Sequence, residues 1–149
     1  MESPEEWTGA CEVRRLVFQE EQGVSADLEF DGEDDAAKHF VAFLDSKVVG
    51  TARLRYLPEQ NAAKIERVAV LSNFRRQGIG FEIMNYILNY LQEEGIQTAK
   101  IHSQEQVKFF YEELGFKQQG LPFDEAGIRH VVMLRPIPRP PKNEEKRWT

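Results

Sequence analysis

The sequence predicts a single mixed α/β domain: a mostly antiparallel central sheet, one parallel strand–helix–strand unit within it, and helices on both faces. Three observations predict it. Short apolar or alternating runs crowd into residues 39–71, Gln77–Glu94 carries one apolar stripe at helical spacing, and two more short runs follow a second helical stretch. At 149 residues the chain is one core's worth.

Taken in order, Cys11–Glu21 reads as a helix, with Leu16 and Val17 opposite Glu20 and Glu21 and a stop at Gly23. An acidic loop follows to Ala37. His39–Leu44 and Val48–Tyr56 form a hairpin across Asp45-Ser46-Lys47. Leu57–Asn61 turns, and Lys64–Leu71 is a third strand. In Gln77–Glu94 the stripe is Ile79, Ile83, Met84, Ile87, Leu88 and Leu91, closed by Gly95. Thr98–His102 is a short strand. Val107, Phe110, Tyr111 and Leu114 mark the next helix, which ends at Gly115. Phe116–Gln119 and Arg129–Leu134 are the last strands, on either side of a Gly120–Gly127 loop. The unit from Lys64 to His102 should cross over right-handed, with parallel strands. The domain is read as 1–134. Residues 135–149 hold Pro136, Pro138, Pro140 and Pro141 and five bases against two acids, and read as an extension.

Composition excludes several classes. The net charge of −6 argues against a general nucleic-acid binder, which must neutralise phosphates. No apolar run approaches the roughly 20 residues that a bilayer demands. The acidic start, Met1-Glu2-Ser3-Pro4-Glu5-Glu6, is unlike a secretory signal, so the expected location is cytoplasmic. One cysteine, Cys11, makes neither an internal disulfide nor a cysteine-based zinc site. His39, His102 and His130 lack metal-ligand spacing, so no metal is expected. His130, near the start of the last strand, edges a ligand pocket or is structural, the latter being favoured.

The sharpest chemical signal is Arg75-Arg76-Gln77-Gly78-Ile79-Gly80, between a strand and the long helix. Helix-initiating amides lack internal partners and carry partial positive charge. The glycines let a ligand approach the backbone, and the arginines offer planar donors to phosphate oxygens. A phosphate or pyrophosphate site follows, against the alternative of an ordinary glycine-rich turn. It is neither a P-loop, lacking Gly-Lys-Ser/Thr, nor a dinucleotide fingerprint, since Ile83 stands where a third glycine would be.

R-x-x-G-x-G after Ile65-Glu66-Arg67-Val68-Ala69-Val70, then Phe109-Phe110-Tyr111-Glu112-Glu113-Leu114-Gly115-Phe116, resembles the GNAT family of acetyl-CoA-dependent N-acetyltransferases. The opening Val13-Arg14-Arg15-Leu16-Val17-Phe18-Gln19-Glu20-Glu21-Gln22-Gly23-Val24 is similar to a bacterial subgroup of uncharacterised members. The likeness covers about Val13 to Leu134. It implies the GNAT fold and acetyl-CoA as co-substrate. Val68, Ala69 and Val70 would pair with the pantetheine arm as an added strand. Backbone amides from Gln77 through Gly78 and Ile79 to Gly80, with Arg75 and Arg76, would hold the pyrophosphate. Phe110 and Gln104 would also contact the cofactor, and Tyr111 would protonate the leaving thiolate. The chain departs from the family pattern at Gln104, where asparagine is common, and at Val107, where alanine is. The family's first strand lacks a counterpart in the ten residues before Cys11. A segment of the tail, or of another subunit in a homodimer, would replace it.

Two residues have a case of their own. Tyr111 lies on the apolar face of its helix, where its hydroxyl must find a partner; a core tyrosine bonded to a carbonyl is the plainer alternative. Glu66 is the candidate general base, since an amine with pKa about 10 must lose a proton before attack. By strict alternation Glu66, Val68 and Val70 share one strand face, unless a bulge intervenes. Cross-strand pairing of Glu66 with Arg67, Arg53 or Arg55 is the rival reading.

Leu16–Ala37 holds eight acids and no base, so a cationic small-molecule or peptide amine is the expected acceptor, against the equal alternative of a solvated acidic loop that serves solubility. The expected reaction is direct acetyl transfer to a primary amine in a ternary complex, since no activated nucleophile is evident. The alternatives are a non-catalytic acyl-CoA-binding sensor or assembly module, and an acyltransferase with another donor or acceptor.

Overall fold

A computed structural model describes residues 3–29 and 31–139. Six strands form one sheet in the order β1-β2-β3-β4-β6-β5: β1 (Lys38–Leu44), β2 (Lys47–Leu57), β3 (Ala62–Val70), β4 (Thr98–Gln104), β5 (Lys117–Glu125) and β6 (Ile128–Pro136). Only β3 and β4 pair in parallel, and α3 (Ile79–Glu93) connects them. The expected mixed sheet with one strand–helix–strand unit is present. The α3 stripe Ile83, Met84, Ile87, Leu88 and Leu91 is buried against Leu54, Ile65, Ile101 and Met133 of the sheet. No described helix is long and apolar enough to cross a membrane.

The first helix departs from expectation. It starts at Pro4 rather than Cys11, because Ser3 caps it: the Ser3 hydroxyl accepts from the Glu6 amide and the Glu6 carboxylate from the Ser3 amide, both at 3.1 Å. After α1 (Pro4–Arg14) the chain widens into a π-helical stretch, Arg15–Glu21, closed by a Gln22 N–H donating to the Val17 carbonyl. α1 lies on the sheet face opposite α3, with Val13 and Val17 packed on Ala69. The acidic segment also contains a short helix, α2 (Ala26–Glu29). Among the described residues no strand precedes α1, and β1 pairs only with β2, so nothing described stands in for the family's first strand.

Three corrections concern the strands that frame the cleft. In β3 the register moves from Arg53↔Glu66 to Thr51↔Ala69, so β3 carries one extra residue, and Arg67 sits at φ 53°. This bulge breaks the alternation. Val68 and Val70 pack against the core under α3, while Glu66 shares the other face with Ala69. Second, residues 120–127 are not a loop: β5 runs to Glu125, pairing Phe123 with His130 and Glu125 with Ile128 around a tight Ala126-Gly127 turn. Gly120-Leu121-Pro122 form a bulge, where a proline without an amide donor is tolerated. Third, the stretch expected to be a tail begins inside β6, which extends to Pro136, and Ile137 is buried with its amide on the Gln97 carbonyl at 2.9 Å. Residues 140–149 of that expected tail lie outside the described residues.

Candidate active site

β3 and β4 pair only from Ala62↔Thr98 to Ile65↔Ile101. Both strands then continue, β3 to Val70 and β4 to Gln104, without pairing to each other. The splay opens a cleft of about 1260 Å³ bounded by the two strand ends, the π-helical stretch, the start of α3 and α4 (Lys108–Glu113). A separating pair of parallel strands leaves main-chain donors and acceptors along the gap, where an extended ligand can take them.

The N-terminus of α3 closes one end. Gly78 is the cap residue at φ 82°, and its carbonyl accepts from the Glu82 amide at 2.9 Å. A Cβ there would meet nothing within 4 Å, so conformation rather than space favours glycine. At Gly80 a Cβ would stand 3.4 Å from Phe110 Cζ, at the edge of ordinary contact, so that ring lies close against the turn. The first-turn amides of Ile79, Gly80 and Phe81 lack helical acceptors and lie at the cleft. This is an anion cradle in both donors and dipole.

Of the sequence-predicted residues, Glu66, Val68, Ala69, Val70, Arg75, Arg76, Gly78, Ile79, Gly80, Gln104, Phe110 and Tyr111 line the cleft together. The exposed Gln77 does not line it. Arg75 is not waiting for a ligand. Its guanidinium donates to both Glu21 oxygens at 2.6 and 2.7 Å and to the Val70 carbonyl at 2.9 Å. Gln104 likewise donates to the side chain of Gln22 at 2.8 Å. Consecutive residues of the first helical segment thus hold two expected cofactor ligands.

Tyr111 is wedged between Phe110 and Phe116, at ring separations of 4.9 and 6.0 Å. Its hydroxyl hydrogen-bonds no described residue and borders the cleft, so the reading of a core tyrosine on a carbonyl is not realised. Burial pushes its pKa up to about 12, so it keeps its proton at neutral pH.

Glu66 has the partners of the rival reading. Arg53 donates to it through Nε at 2.9 Å and through Nη2, Lys64 stands at 3.1 Å and Arg55 at 3.6 Å. Burial alone would raise its pKa; the Arg53 hydrogen bonds and the Lys64 and Arg53 charges outweigh that and hold it below the usual carboxylate range. The acidic segment is similarly occupied. Arg14 binds Glu29 and Asp34, Arg53 binds Asp31 and Asp34, Arg67 binds Asp31, and Arg55 binds Glu33. Arg14 and Arg53 are each 1% exposed, so these carboxylates anchor buried guanidinium groups.

Sequence reasoning missed one stretch of the cleft wall and one grouping on it. Phe18, in the π-helical stretch, and Gln22, which caps it, both line the cleft. His130, read as edging a pocket or as structural, does line the cleft, and its meeting with His102 and Glu125 across β4, β5 and β6 is what no sequence spacing signals. Among the described residues no group of histidine, cysteine and carboxylate side chains could hold a metal ion.

A family profile described as an acetyltransferase (GNAT) domain matches residues 12–135. The chain belongs to the GNAT acetyltransferases. The uncharacterised protein YyaT of Bacillus subtilis is 36% identical over 133 residues, covering 87% of this chain and 88% of that protein. Among solved structures, a Pseudomonas aeruginosa acyl-CoA N-acyltransferase superposes with a TM-score of 0.79 at 23% identity, over 89% of this chain and 92% of that one. An aminoglycoside 6′-N-acetyltransferase complexed with coenzyme A superposes with a TM-score of 0.75 at 17% identity, over 94% and 95% of the two chains. At these identities the two structures speak for the fold. This chain is therefore a GNAT acyltransferase with the family's mixed α/β architecture.

Proposed function

We propose that this acyltransferase moves the acetyl group of acetyl-CoA to a primary amine of a small molecule or peptide, by direct attack in a ternary complex. The observation that carries the proposal is the splay of β3 from β4 after Ile65 and Ile101, with the α3 N-terminus at one end and an unpartnered Tyr111 hydroxyl bordering the gap. Acetyl-CoA supplies the activated thioester. Val68, Ala69 and Val70 offer main-chain groups to the pantetheine arm, and Gln104 an amide. The amides of Ile79 and Gly80, with Gly78 turning the chain and Arg75 and Arg76 adding charge, hold the pyrophosphate. Phe110 packs beside Gly80 and shields that end from water. The Tyr111 hydroxyl, protonated at neutral pH, delivers its proton to the departing thiolate. Free acidic charge does not steer the acceptor in this reading, because Glu29, Asp31, Glu33 and Asp34 each have an arginine partner.

The test has two stages. Acetyl-CoA at about 100 times its dissociation constant should stabilise the fold by roughly 2.7 kcal/mol, several degrees in melting temperature. Gly78→Asp should abolish that shift in a folded protein. Thiol release from acetyl-CoA is then followed against polyamines, amino sugars, amino acids, aminoglycosides and lysine peptides. No melting shift removes the proposal, and a shift without turnover of any amine replaces it with a non-catalytic acyl-CoA sensor.

A further inference from the structure

His102, Glu125 and His130 converge on the wall of the cleft that Tyr111 also borders. Their hydrogen bonds decide which imidazole nitrogens carry protons. His130 Nδ1 lies 2.7 Å from the Ile128 carbonyl, which can only accept, so Nδ1 carries the hydrogen. In the neutral ring Nε2 then holds a lone pair. His102 Nδ1 lies 2.9 Å from Glu125 Oε1, so it too is the donor, and this bond holds the Glu125 carboxyl below its ordinary pKa. The other Glu125 oxygen stands 3.8 Å from His130 Nε2, beyond hydrogen-bond length. A lone pair and an anionic oxygen therefore face each other across a gap with no proton between them. Phe123 lies beside both rings and fixes their planes, at 5.2 Å from His102 and 6.0 Å from His130.

A cation with several N–H donors fits that gap: a primary ammonium can donate to His130 Nε2 and Glu125 Oε2 together. Glu66 is a poorer seat, since Arg53, Lys64 and Arg55 already surround its oxygens. The remaining charges nearby are engaged. Lys64 stands by Glu66, Arg67 binds Asp31, Arg55 pairs with Glu33, and Arg129 with Glu105.

Building on the acetyl-transfer reading, we infer that His130 is the general base for the acceptor amine, with Glu125 seating the ammonium and His102 positioning Glu125. The ammonium passes one proton to His130 Nε2. The freed lone pair forms the C–N bond at the thioester carbonyl, the C–S bond breaks, and the thiolate takes the Tyr111 proton. The nitrogen sheds a second proton on becoming an amide, which restores Tyr111, and His130 releases its proton to water.

The experiment uses the full chain and two variants chosen by shape. His130→Asn keeps an amide donor where Nδ1 meets the Ile128 carbonyl and removes Nε2; His130→Gln serves if the first does not fold. Acetyl-CoA turnover is measured from pH 6 to 9 with spermidine or, if it is not accepted, with whichever amine of the panel is. The acetyl-CoA melting shift should persist in the variant, which separates failure of this inference from failure of the acetyl-transfer reading. Turnover at pH 7 should fall roughly 10²-fold or more, with the deficit narrowing by pH 9 as free amine accumulates. Glu125→Gln should raise KM for the amine more than it lowers kcat. Wild-type turnover and pH profile in the His130 variant would overturn the inference, as would a larger loss from Glu66→Gln. ¹⁵N imidazole spectra give a readout independent of turnover. A His130 ring protonated on Nδ1 with Nε2 bare supports the assignment, and one protonated on Nε2 overturns it.

Discussion

Removing the Glu21 carboxylate should tighten coenzyme A binding, because Glu21 occupies an arginine of the cleft wall. Arg75 is clamped by both Glu21 oxygens at 2.6 and 2.7 Å, and a pyrophosphate at the α3 N-terminus would compete with Glu21 for its donors. The side chains are 38% and 43% exposed, so the pair is a solvent-screened one worth about 0.2–1 kcal/mol. Binding must give up that amount before Arg75 gains its phosphate contact. Glu21→Gln refunds it and removes a negative charge near an anionic ligand. Because 1.4 kcal/mol is tenfold, the expected gain is a roughly 1.4- to 5-fold lower Kd. Calorimetric titration of coenzyme A at low and high salt measures it. The gain should shrink at high salt, where exposed charges are screened within a few ångströms. Arg75→Ala should weaken binding and reduce the effect of Glu21→Gln, a non-additivity expected of residues sharing one contact. Weaker binding by Glu21→Gln, or equal gains with and without Arg75, would refute the reasoning.

Tyr111→Phe keeps the ring packed and removes a hydroxyl with no described partner; stability should change by about 1 kcal/mol or less by chemical denaturation, while kcat falls roughly 10²-fold at unchanged coenzyme A affinity. With the Tyr111 pKa pushed up to about 12, the pH–rate profile should show no loss from tyrosine ionisation below pH 10. Arg53→Met leaves Glu66, Asp31 and Asp34 without their shared cation, and should cost about 3–5 kcal/mol by urea melts. The carboxyls of Asp31, Asp34 and Glu66 are all held below their ordinary values, so their stabilising contribution is complete above pH about 4–5 and lost as pH falls through the lowered values; acid titration followed by circular dichroism should show unfolding in that range, beginning at higher pH in Arg53→Met.

Local patterns determined much of this protein. The α3 stripe, the glycine-bearing turn before it and the order of strands depend on neighbours a few residues apart, and side-chain periodicity encodes such relations directly. The helix start at Pro4 is equally local, since Ser3 and Glu6 spell a capping box. Other features belong to tertiary structure alone. The β3 bulge that turns Glu66 away from Val68 and Val70 is a mismatch between two strands, invisible in either one. The acids between Glu20 and Asp35 looked like a free field because composition counts charges without their partners. Folding brings Arg14 and Arg53 into their midst, where a guanidinium taken from water needs carboxylates around it. His102, Glu125 and His130 are joined only when β5 continues past its bulge and folds back at Ala126-Gly127. Sequence spacing reports what one strand or one turn of helix can bring together; a site assembled from three strands is decided by their register.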